Sequence, residues 1–320
     1  MEDYIWDYRN PYEWMTKVRS SSFPPVIICC AITGGVQGKE ANENLPETPE
    51  EQTEQVYEAF RAGASMVHVH VRDPKKWYDG SGDTEQYRLV NSMIRKRCPG
   101  IIVNNTTGGT WGMSVEQRLS CLDAKPDVAT LNMQPDMYKM TLKERKAPIP
   151  HPRPEVQLDG CMHITYGEIS TFARAMKERG IKPEMEIYQP GTFWVIQDLI
   201  SQGLIEPPYL SQFVMGYQSS IYATPANLLN MVSELPPQSI FEVAGVGPYQ
   251  LPMNVLGLLL GGHVRVGMED NSYYRRGELL KNNAQAVERI ARIAKEMNRE
   301  IATPVQARKM LGLPPSAQTR

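Results

Sequence analysis

The chain alternates between short apolar runs rich in β-branched residues and longer stretches whose hydrophobic positions have a helical spacing. Eight such pairs follow one another without a low-complexity linker. This alternation indicates parallel strands joined by crossover helices. Eight units favour a (β/α)8 barrel, or TIM barrel, over an open doubly wound sheet. The predicted strands lie in residues 24–35, 65–73, 101–109, 126–133, 182–191, 209–217, 239–245 and 263–270.

Local start signals support several of the predicted helices. Glu51 lies three residues after Thr48, and Pro49 stands between them, which is the spacing of a capping box with proline in the first turn. Ser114 and Gln117 form a second capping pair. Residues 275–300, "RRGELLKNNAQAVERIARIAKEMNRE", are predicted to close the fold as one long helix.

Two segments fall outside the eight units. Residues 1–23 are predicted as an N-terminal extension that either plugs the bottom of the barrel or meets another subunit. Residues 134–160, rich in proline, lysine and arginine, form a long excursion after the fourth strand. Because no domain break interrupts the alternation, residues 1–320 are predicted to form a single domain.

Composition and charge narrow the range of partners and compartments. The chain has 41% hydrophobic and 22% charged residues and a formal net charge of -2, which gives no electrostatic reason to expect nucleic acid or an acidic membrane. No apolar run approaches the ~18 residues that span a bilayer, and the acidic, aromatic N-terminus does not fit a signal peptide. Five cysteines without a CxxC pair argue against a disulfide framework and predict a cytoplasmic protein.

The stretch "VHVHVRDP" places His68 and His70 two positions apart where the second strand ends. Residues two apart on a strand point to the same side, with Cα atoms ~6.6 Å apart, so both imidazoles can reach one metal ion. Glu269, in "RVGMED" after the eighth strand, is the best third ligand, because barrel active sites form where strands end. Such a set leaves an open coordination position and favours catalytic zinc, with iron(II) or manganese as alternatives. Two histidines hydrogen-bonded inside the barrel would explain the same pair.

Arg265 lies within the eighth strand and is predicted to point into the barrel, where an unpaired guanidinium would be costly. Asp270 or Glu186 could pair with it, and a carboxylate held in this way becomes a candidate base. A purely structural ion pair explains the same pattern. "NNTTGG", residues 104–109, offers hydroxyls, carboxamides and backbone N–H groups that suit a carboxylate or phosphate, although a plain turn needs no ligand.

Taken together, these motifs resemble those of the β-keto acid cleavage enzymes. The resemblance rests on "ITGG", "NLPETPEEQ", "GASMVHVHVRDP", "NNTTGG", "PEMEIYQPG" and "GGHVRVGMEDN", and it runs from about Pro25 to Pro314. It implies a zinc-dependent (β/α)8 barrel, usually a homotetramer. The implied reaction converts a β-keto acid and acetyl-CoA into acetoacetate and a new acyl-CoA.

The resemblance also implies roles for individual residues. It assigns deprotonation of the carbon between the keto group and the carboxylate to Asp270, held by Arg265. Glu186 assists, and Glu184 is the alternative at that position. The implied metal ligands are His68, His70 and Glu269, and the implied contacts to the keto acid are Thr106, Gly109, Thr130 and Asn132.

One position departs from the family pattern. In the member that cleaves an aminated keto acid, a glutamate three residues after the threonine of "TG" binds the substrate ammonium, whereas Val36 stands there in this chain. An ammonium buried against valine would be unpaired and costly. We therefore expect a β-keto acid with a neutral or apolar tail, although Gln37 or Glu40 could supply polar contacts. The excursion of residues 134–160 could contact CoA phosphates, decorate the surface or meet another subunit.

Two other functions fit part of the pattern. A metal-dependent hydrolase or aldolase could use the same barrel. However, amidohydrolase-type sites place the HxH pair on the first strand, and His151, His163 and His263 are not at the predicted carboxyl ends of strands. A barrel that binds acyl-CoA or a keto acid without catalysis would keep the fold, but this chain carries every candidate metal ligand and base.

Overall fold

A computed structural model describes residues 4–109 and 112–315 of the chain. Short strands and helices alternate along most of this length. In chain order the strands are β1 (Ile28–Ala31), β2 (Met66–Val69), β3 (Ile102–Asn105), β4 (Val128–Asn132), β5 (Asp136–Leu142), β6 (Val156–Met162), β7 (Lys182–Ile187), β8 (Tyr209–Met215), β9 (Ser239–Gly245), β10 (His263–Val266), β11 (Tyr273–Arg275) and β12 (Glu278–Leu279).

Eight of these strands pair in parallel and close a barrel, in the order β1, β10, β9, β8, β7, β4, β3, β2 and back to β1. This confirms the predicted (β/α)8 fold. The other strands of the described ranges form two antiparallel hairpins outside the barrel, β5 with β6 and β11 with β12. The first hairpin occupies most of the excursion predicted after the fourth strand.

Both predicted capping boxes are present at helix starts. The Thr48 hydroxyl accepts from the Glu51 backbone N–H at 3.3 Å, and Glu51 Oε2 accepts from the Thr48 N–H at 3.2 Å. Ser114 and Gln117 pair in the same way. The helices are α1 (Pro11–Ser20), α2 (Pro49–Ala62), α3 (Thr84–Arg97), α4 (Val115–Leu119), α5 (Tyr166–Glu178), α6 (Phe193–Ser201), α7 (Pro225–Ser233), α8 (Gln250–Leu259), α9 (Asn283–Glu296) and α10 (Pro304–Met310).

The alternation of side chains along each strand divides the interior from the outer core. In β2, Met66 packs with the cluster inside the barrel, whereas Val67 and Val69 pack outward against the helices. His68 therefore points inward with Met66. The lower part of the interior is apolar, while the part nearer the carboxyl ends is polar, with Asn104, Glu184, Gln212, Glu242 and Arg265 all buried.

The bottom of the barrel is closed from two directions. Helix α10 contributes Ala307 and Met310 to the inner apolar cluster, a helix that the sequence analysis did not predict. Of the N-terminal extension, Ile5 packs against this cluster, and the Tyr8 ring lies 4.7 Å from the ring of Phe241. The described start of the extension thus contacts the barrel bottom, while α1 lies outside with no buried residue.

The prediction of one long closing helix from residue 275 is wrong in its first part. The chain there turns back as β11 and β12, with Gly277 in the left-handed region at φ +80° between them. Helix α9 begins only at Asn283, because the Asn282 side chain accepts from the Gln285 N–H at 2.9 Å and caps it.

Two predictions about the chain as a whole concern cysteines and membranes. Cysteines 29, 30, 98, 121 and 161 are all free in the structure. Across the described residues, no helix combines the length and the apolar character that crossing a bilayer requires.

Candidate active site

A cavity of about 1300 Å³ lies between the carboxyl ends of the barrel strands and the β5–β6 hairpin. Its position matches the end of the barrel where (β/α)8 enzymes build their sites. Thr130 is the one predicted site residue that does not line it. The predicted site residues on its wall are Val36, His68, His70, Thr106, Gly109, Asn132, Glu186, Arg265, Glu269 and Asp270.

His68, His70 and Glu269 converge on one point of the cavity. Glu269 Oε1 lies 3.4 Å from His68 Nε2 and 3.3 Å from His70 Nε2, and the candidate ligand atoms of all three residues lie within 4.8 Å of one another. The close approach of Gly34, at φ +66°, permits this placement, because a Cβ there would lie 2.9 Å from Glu269 Cγ. The loop after β1 therefore packs directly on the Glu269 side chain.

The donor set fits a divalent metal ion. Glu269 Oε2 is buried and has no hydrogen-bond partner among the described residues, which leaves lone pairs available for a ligand. Burial would raise the pKa of Glu269, but Arg265, His68 and His70 outweigh it and hold that pKa well below its usual range. Burial lowers the pKa of His68 to about 4, so its imidazole is neutral at physiological pH. A neutral imidazole and an ionised carboxylate are the forms that coordinate metals.

Arg265 connects the triad to a second carboxylate. Its Nε donates to Asp270 Oδ2 at 2.8 Å, and its Nη2 donates to Asp270 Oδ1 at 2.9 Å. Nη2 also donates to Glu269 Oε1 at 2.7 Å, and Nη1 lies 3.7 Å from Glu186 Oε1. Both partners that the sequence offered for Arg265 are thus near it, and Asp270 is the bidentate one. Burial raises the pKa of Asp270 more than Arg265 lowers it.

Glu186 and Glu184 occupy different levels of the barrel. Glu186 lines the cavity, and its Oε2 accepts from Asn132 Nδ2 at 2.5 Å. Glu184 lies below it, fully buried, with its Oε2 accepting from Asn104 Nδ2 at 2.8 Å. The glutamate at the cavity is therefore Glu186. Burial raises its pKa to about 8, despite the lowering effect of Arg265.

The residues predicted to contact the keto acid are not equally available. The Thr106 hydroxyl faces the cavity and accepts from the Gly108 N–H at 2.9 Å. Gly109 lines the wall at φ +67°, a conformation that suits glycine. Thr130 points inward, but its hydroxyl accepts from the Thr107 N–H at 3.0 Å. Thr130 therefore holds the loop after β3 in place from beneath the cavity wall.

Arg118 is a cavity residue that the sequence analysis missed. It is 6% exposed, its Nε donates to the carbonyl of Thr107 at 2.8 Å, and its guanidinium lies 4.8 Å from the ring centroid of Phe172. Its Nη2 donates to Asn132 Oδ1 at 3.3 Å, so the Asn132 amide bridges Arg118 and Glu186. No carboxylate of the described ranges forms an ion pair with it. The sequence signal was one basic residue in "SVEQRL", which is indistinguishable from a surface arginine.

Gln37 and Glu40, the polar residues that could contact the substrate tail near Val36, already form hydrogen bonds within the protein. Gln37 Nε2 donates to the backbone carbonyls of Met268 and Glu269 at 2.8 and 3.1 Å, which ties the loop after β1 to the segment that carries Glu269. Glu40 lines the cavity, but its carboxylate already accepts hydrogen bonds from Arg145 and Arg153. Val36 itself lines the cavity.

The β5–β6 hairpin forms a roof over the cavity. Tyr138, Met140 and Leu142 line it, while the residues between them are exposed. The end of the hairpin is anchored by Arg145, whose side chain is fully buried. Arg145 donates to both carboxylate oxygens of Glu47 at 2.7 Å and to Glu40 at 3.0 Å. The excursion is therefore part of the cavity wall and is pinned to the loop after β1.

Comparison of the sequence with known proteins identifies its relatives. The family model for beta-keto acid cleavage enzyme matches residues 25–313. The chain is 37% identical over 290 residues to a 3-keto-5-aminohexanoate cleavage enzyme of Fusobacterium nucleatum, covering 90% of this chain and 98% of the relative. It is 32% identical over 293 residues to a 3-oxoadipate:acetyl-CoA acetyltransferase of Cupriavidus necator, covering 91% and 95%. It is 30% identical over 302 residues to a 3-dehydrocarnitine:acetyl-CoA trimethylamine transferase of Rhizobium meliloti, covering 90% and 96%.

Solved structures support the fold. The apo structure of ObcA superposes with a TM-score of 0.68 at 19% identity, covering 84% of this chain and 66% of that one. At this level of identity the likeness establishes a common barrel architecture.

Proposed function

The chain belongs to the β-keto acid cleavage enzyme family, and on that premise we propose that it transfers the acyl group of a β-keto acid to CoA. Acetyl-CoA is the co-substrate and acetoacetate the second product. The bond between the keto carbon and the α-carbon breaks, the α-carbon takes the acetyl group, and CoA takes the acyl group. The observation that carries the proposal is the convergence of a three-ligand group and an arginine-held carboxylate in one cavity.

We propose that His68, His70 and Glu269 hold a zinc ion. Zinc bound there would act as a Lewis acid on the keto carbonyl and make the α-carbon more acidic. The chain contributes three donor atoms already gathered within 4.8 Å of one another. Gly34 and Gln37 hold Glu269 in this position from the β1 loop.

Asp270 is the proposed base that accepts the α-proton and returns a proton to the same carbon when the C–C bond breaks and acetoacetate forms. Arg265 fixes the orientation of both Asp270 oxygens, so the carboxylate needs little reorganisation when the proton arrives. Burial raises the pKa of Asp270, which makes it a stronger base than a surface aspartate. Glu186, whose pKa is raised to about 8, keeps its own proton at neutral pH and places no further negative charge beside Asp270.

The carboxylate of the keto acid is proposed to bind at the loop after β3. Thr106 and Gly109 line the wall there, and Arg118 supplies a buried positive charge without a carboxylate partner in the described chain. Asn132 orients Arg118 and Glu186 toward each other. Thr130 acts indirectly by holding the Thr107 N–H.

The acyl-CoA arm is proposed to enter under the β5–β6 hairpin. The apolar side chains of Met140 and Leu142 would cover the reacting atoms and limit water there. Lys143 and Arg276, both exposed at the cavity, provide positive charge for the CoA phosphates.

Val36 gives the substrate tail an apolar contact on the β1 side of the cavity. The ammonium group of a 5-amino keto acid would therefore find no carboxylate partner at this position. The homotetramer and the cytoplasmic location stay predictions.

A direct test is to incubate the metal-loaded protein with acetyl-CoA and a panel of β-keto acids that differ in their tails. Mass spectrometry would follow acetoacetate and the new acyl-CoA together. Formation of both products in equal amounts supports the proposal. Bound zinc without acetoacetate from any member would favour the hydrolase or aldolase alternative. Tight binding without any turnover would favour a non-catalytic barrel that binds keto acids or acyl-CoA.

A further inference from the structure

Asp136 is a cavity carboxylate that the proposed reaction does not use. It begins β5, is 9% exposed, and lines the cavity under the roof hairpin. Its Oδ1 is buried and has no hydrogen-bond partner among the described residues. A carboxylate with a free buried oxygen on a cavity wall indicates a missing donor.

The neighbours of Asp136 supply little compensation for its charge. The Tyr217 hydroxyl can donate to it. The Ser219 hydroxyl lies nearby, but its single proton is donated to the Met137 carbonyl at 2.5 Å. Burial raises the pKa of Asp136, and no lysine, arginine or histidine of the described ranges acts against this rise. A buried carboxylate without a cation is costly, so a ligand cation would restore the balance.

The surroundings of Asp136 suit a cation and connect it to the reaction centre. The rings of Tyr188 and Tyr217 lie side by side with their centroids 6.4 Å apart, and both line the cavity. The Tyr188 hydroxyl lies 3.5 Å from Glu186 Oε2. A row of cavity residues thus leads from Glu186 through the two tyrosines to Asp136, and aromatic faces attract organic cations.

We propose that Asp136, with Tyr188 and Tyr217, forms a subsite for a positively charged group on the tail of the keto acid. This inference rests on the proposed function of the cavity and specifies its substrate class. The subsite lies on the β4 side of the barrel mouth, three strands around the barrel from the loop that carries Val36. A tail would therefore be uncharged where it passes Val36 and carry its positive charge where it reaches Asp136.

The test uses pairs of β-keto acids that differ only at the tail end, with a quaternary ammonium in one and a tert-butyl group in the other, in several tail lengths. Binding is measured by calorimetry without acetyl-CoA, so that no turnover is needed. At one tail length or more, wild-type protein should bind the cationic member about 10- to 100-fold more tightly, the range for a buried bond to a charged group. Equal binding at every length, or a preference for the neutral member, would overturn the inference.

Two variants identify the residue responsible. Asp136→Asn keeps the shape and removes the charge, and it should abolish the preference while leaving the neutral ligand's Kd unchanged. Asp159→Asn is the matched control on the same hairpin, because Asp159 is exposed and pairs only loosely with Lys139 at 3.8 Å. It should keep the preference. A preference that survives in Asp136→Asn would contradict the assignment.

Steady-state kinetics separate this inference from the proposed function. If Asp136→Asn raises KM for acetyl-CoA and not for the cationic keto acid, the carboxylate serves CoA and the inference fails. If neutral keto acids are cleaved and Asp136→Asn has no effect, the proposed function stands without the subsite. If the charge preference depends on Asp136 but no acetoacetate forms, the subsite stands and the proposed reaction fails.

Discussion

Arg265 donates two parallel hydrogen bonds to Asp270, from Nε to Oδ2 at 2.8 Å and from Nη2 to Oδ1 at 2.9 Å. The same Nη2 reaches Glu269 Oε1 at 2.7 Å. One guanidinium therefore sets the distance between the proposed base and the proposed metal ligand. Both carboxylates contact Arg265, but only Glu269 also lies beside His68 and His70. Substitution of one carboxylate at a time can therefore separate their roles.

Asp270→Asn should retain the metal and lose proton abstraction. The amide cannot accept the α-proton, so exchange of that proton with deuterated solvent should fall by about 100- to 10,000-fold, the usual contribution of a positioned base. NMR of the keto acid in D2O, without acetyl-CoA, measures this step alone. Elemental analysis should find metal as in wild type. Exchange at the wild-type rate would exclude Asp270 as the base.

Glu269→Gln should lose the metal. Glu269 has its Oε2 free and its Oε1 facing both histidines, and an amide oxygen is a weaker ligand than a carboxylate. Metal affinity should fall by more than the ~10- to 100-fold that is typical when a residue that only hydrogen-bonds a metal ligand is replaced. Elemental analysis after dialysis against a chelator checks this, with Asp270→Asn as the control. Full metal occupancy in the variant would show that Glu269 is not a ligand.

Glu186 should make stability depend on pH. Its pKa is raised from its ordinary value near 4.5 to about 8, so between these values the folded protein keeps a proton that the unfolded chain releases. The stabilising effect of that proton is present at low pH and is lost as pH rises through about 8. Glu186→Gln cannot ionise, so its melting temperature relative to wild type should increase from pH 5 to pH 9.

The control for this prediction is Glu178→Gln, which replaces an exposed glutamate of α5. Its melting temperature relative to wild type should stay constant over the same range. A constant difference for Glu186→Gln would mean that Glu186 is ionised in the folded protein throughout.

Arg145→Met should release the roof hairpin. The substitution leaves Glu47 buried without the arginine that binds both of its oxygens, while Glu40 keeps Arg153, and breaking a buried pair in this way costs about 3–5 kcal/mol. Limited proteolysis within residues 136–162 and chemical unfolding measure the effect. Lys139→Met removes an exposed charge from the same hairpin and should change neither. Equal protease resistance in the two variants would show that the anchor does not hold the roof.

The fold was predictable because strands and helix starts both show patterns that can be recognised within a few residues of sequence. Thr48 and Ser114 marked helix starts through neighbours three residues away, and the "HVH" alternation placed His68 and His70 on one side. The helix starting at residue 275 was predicted too early, since a helical spacing extends through "RRGELL" until Gly277 reverses the chain.

The parts of the site that were missed depend on contacts that are distant along the chain. Arg145 meets Glu47 across 98 residues, and nothing near either residue marks the pair. Thr130 was expected to contact the keto acid, whereas in the structure its hydroxyl accepts a hydrogen bond from the Thr107 N–H. The choice between Glu184 and Glu186 likewise needed the height of each residue in the barrel, because both lie on the inward side of β7.

Isotope tracing tests the central claim most directly. Acetyl-CoA labelled with 13C at the thioester carbon is incubated with the protein and an unlabelled β-keto acid, and both products are analysed by NMR. The proposed reaction places the label at the keto carbon of acetoacetate and leaves the new acyl-CoA unlabelled. Label in acetate, or in a CoA thioester with no labelled acetoacetate, would contradict the transfer between keto acid and acetyl-CoA.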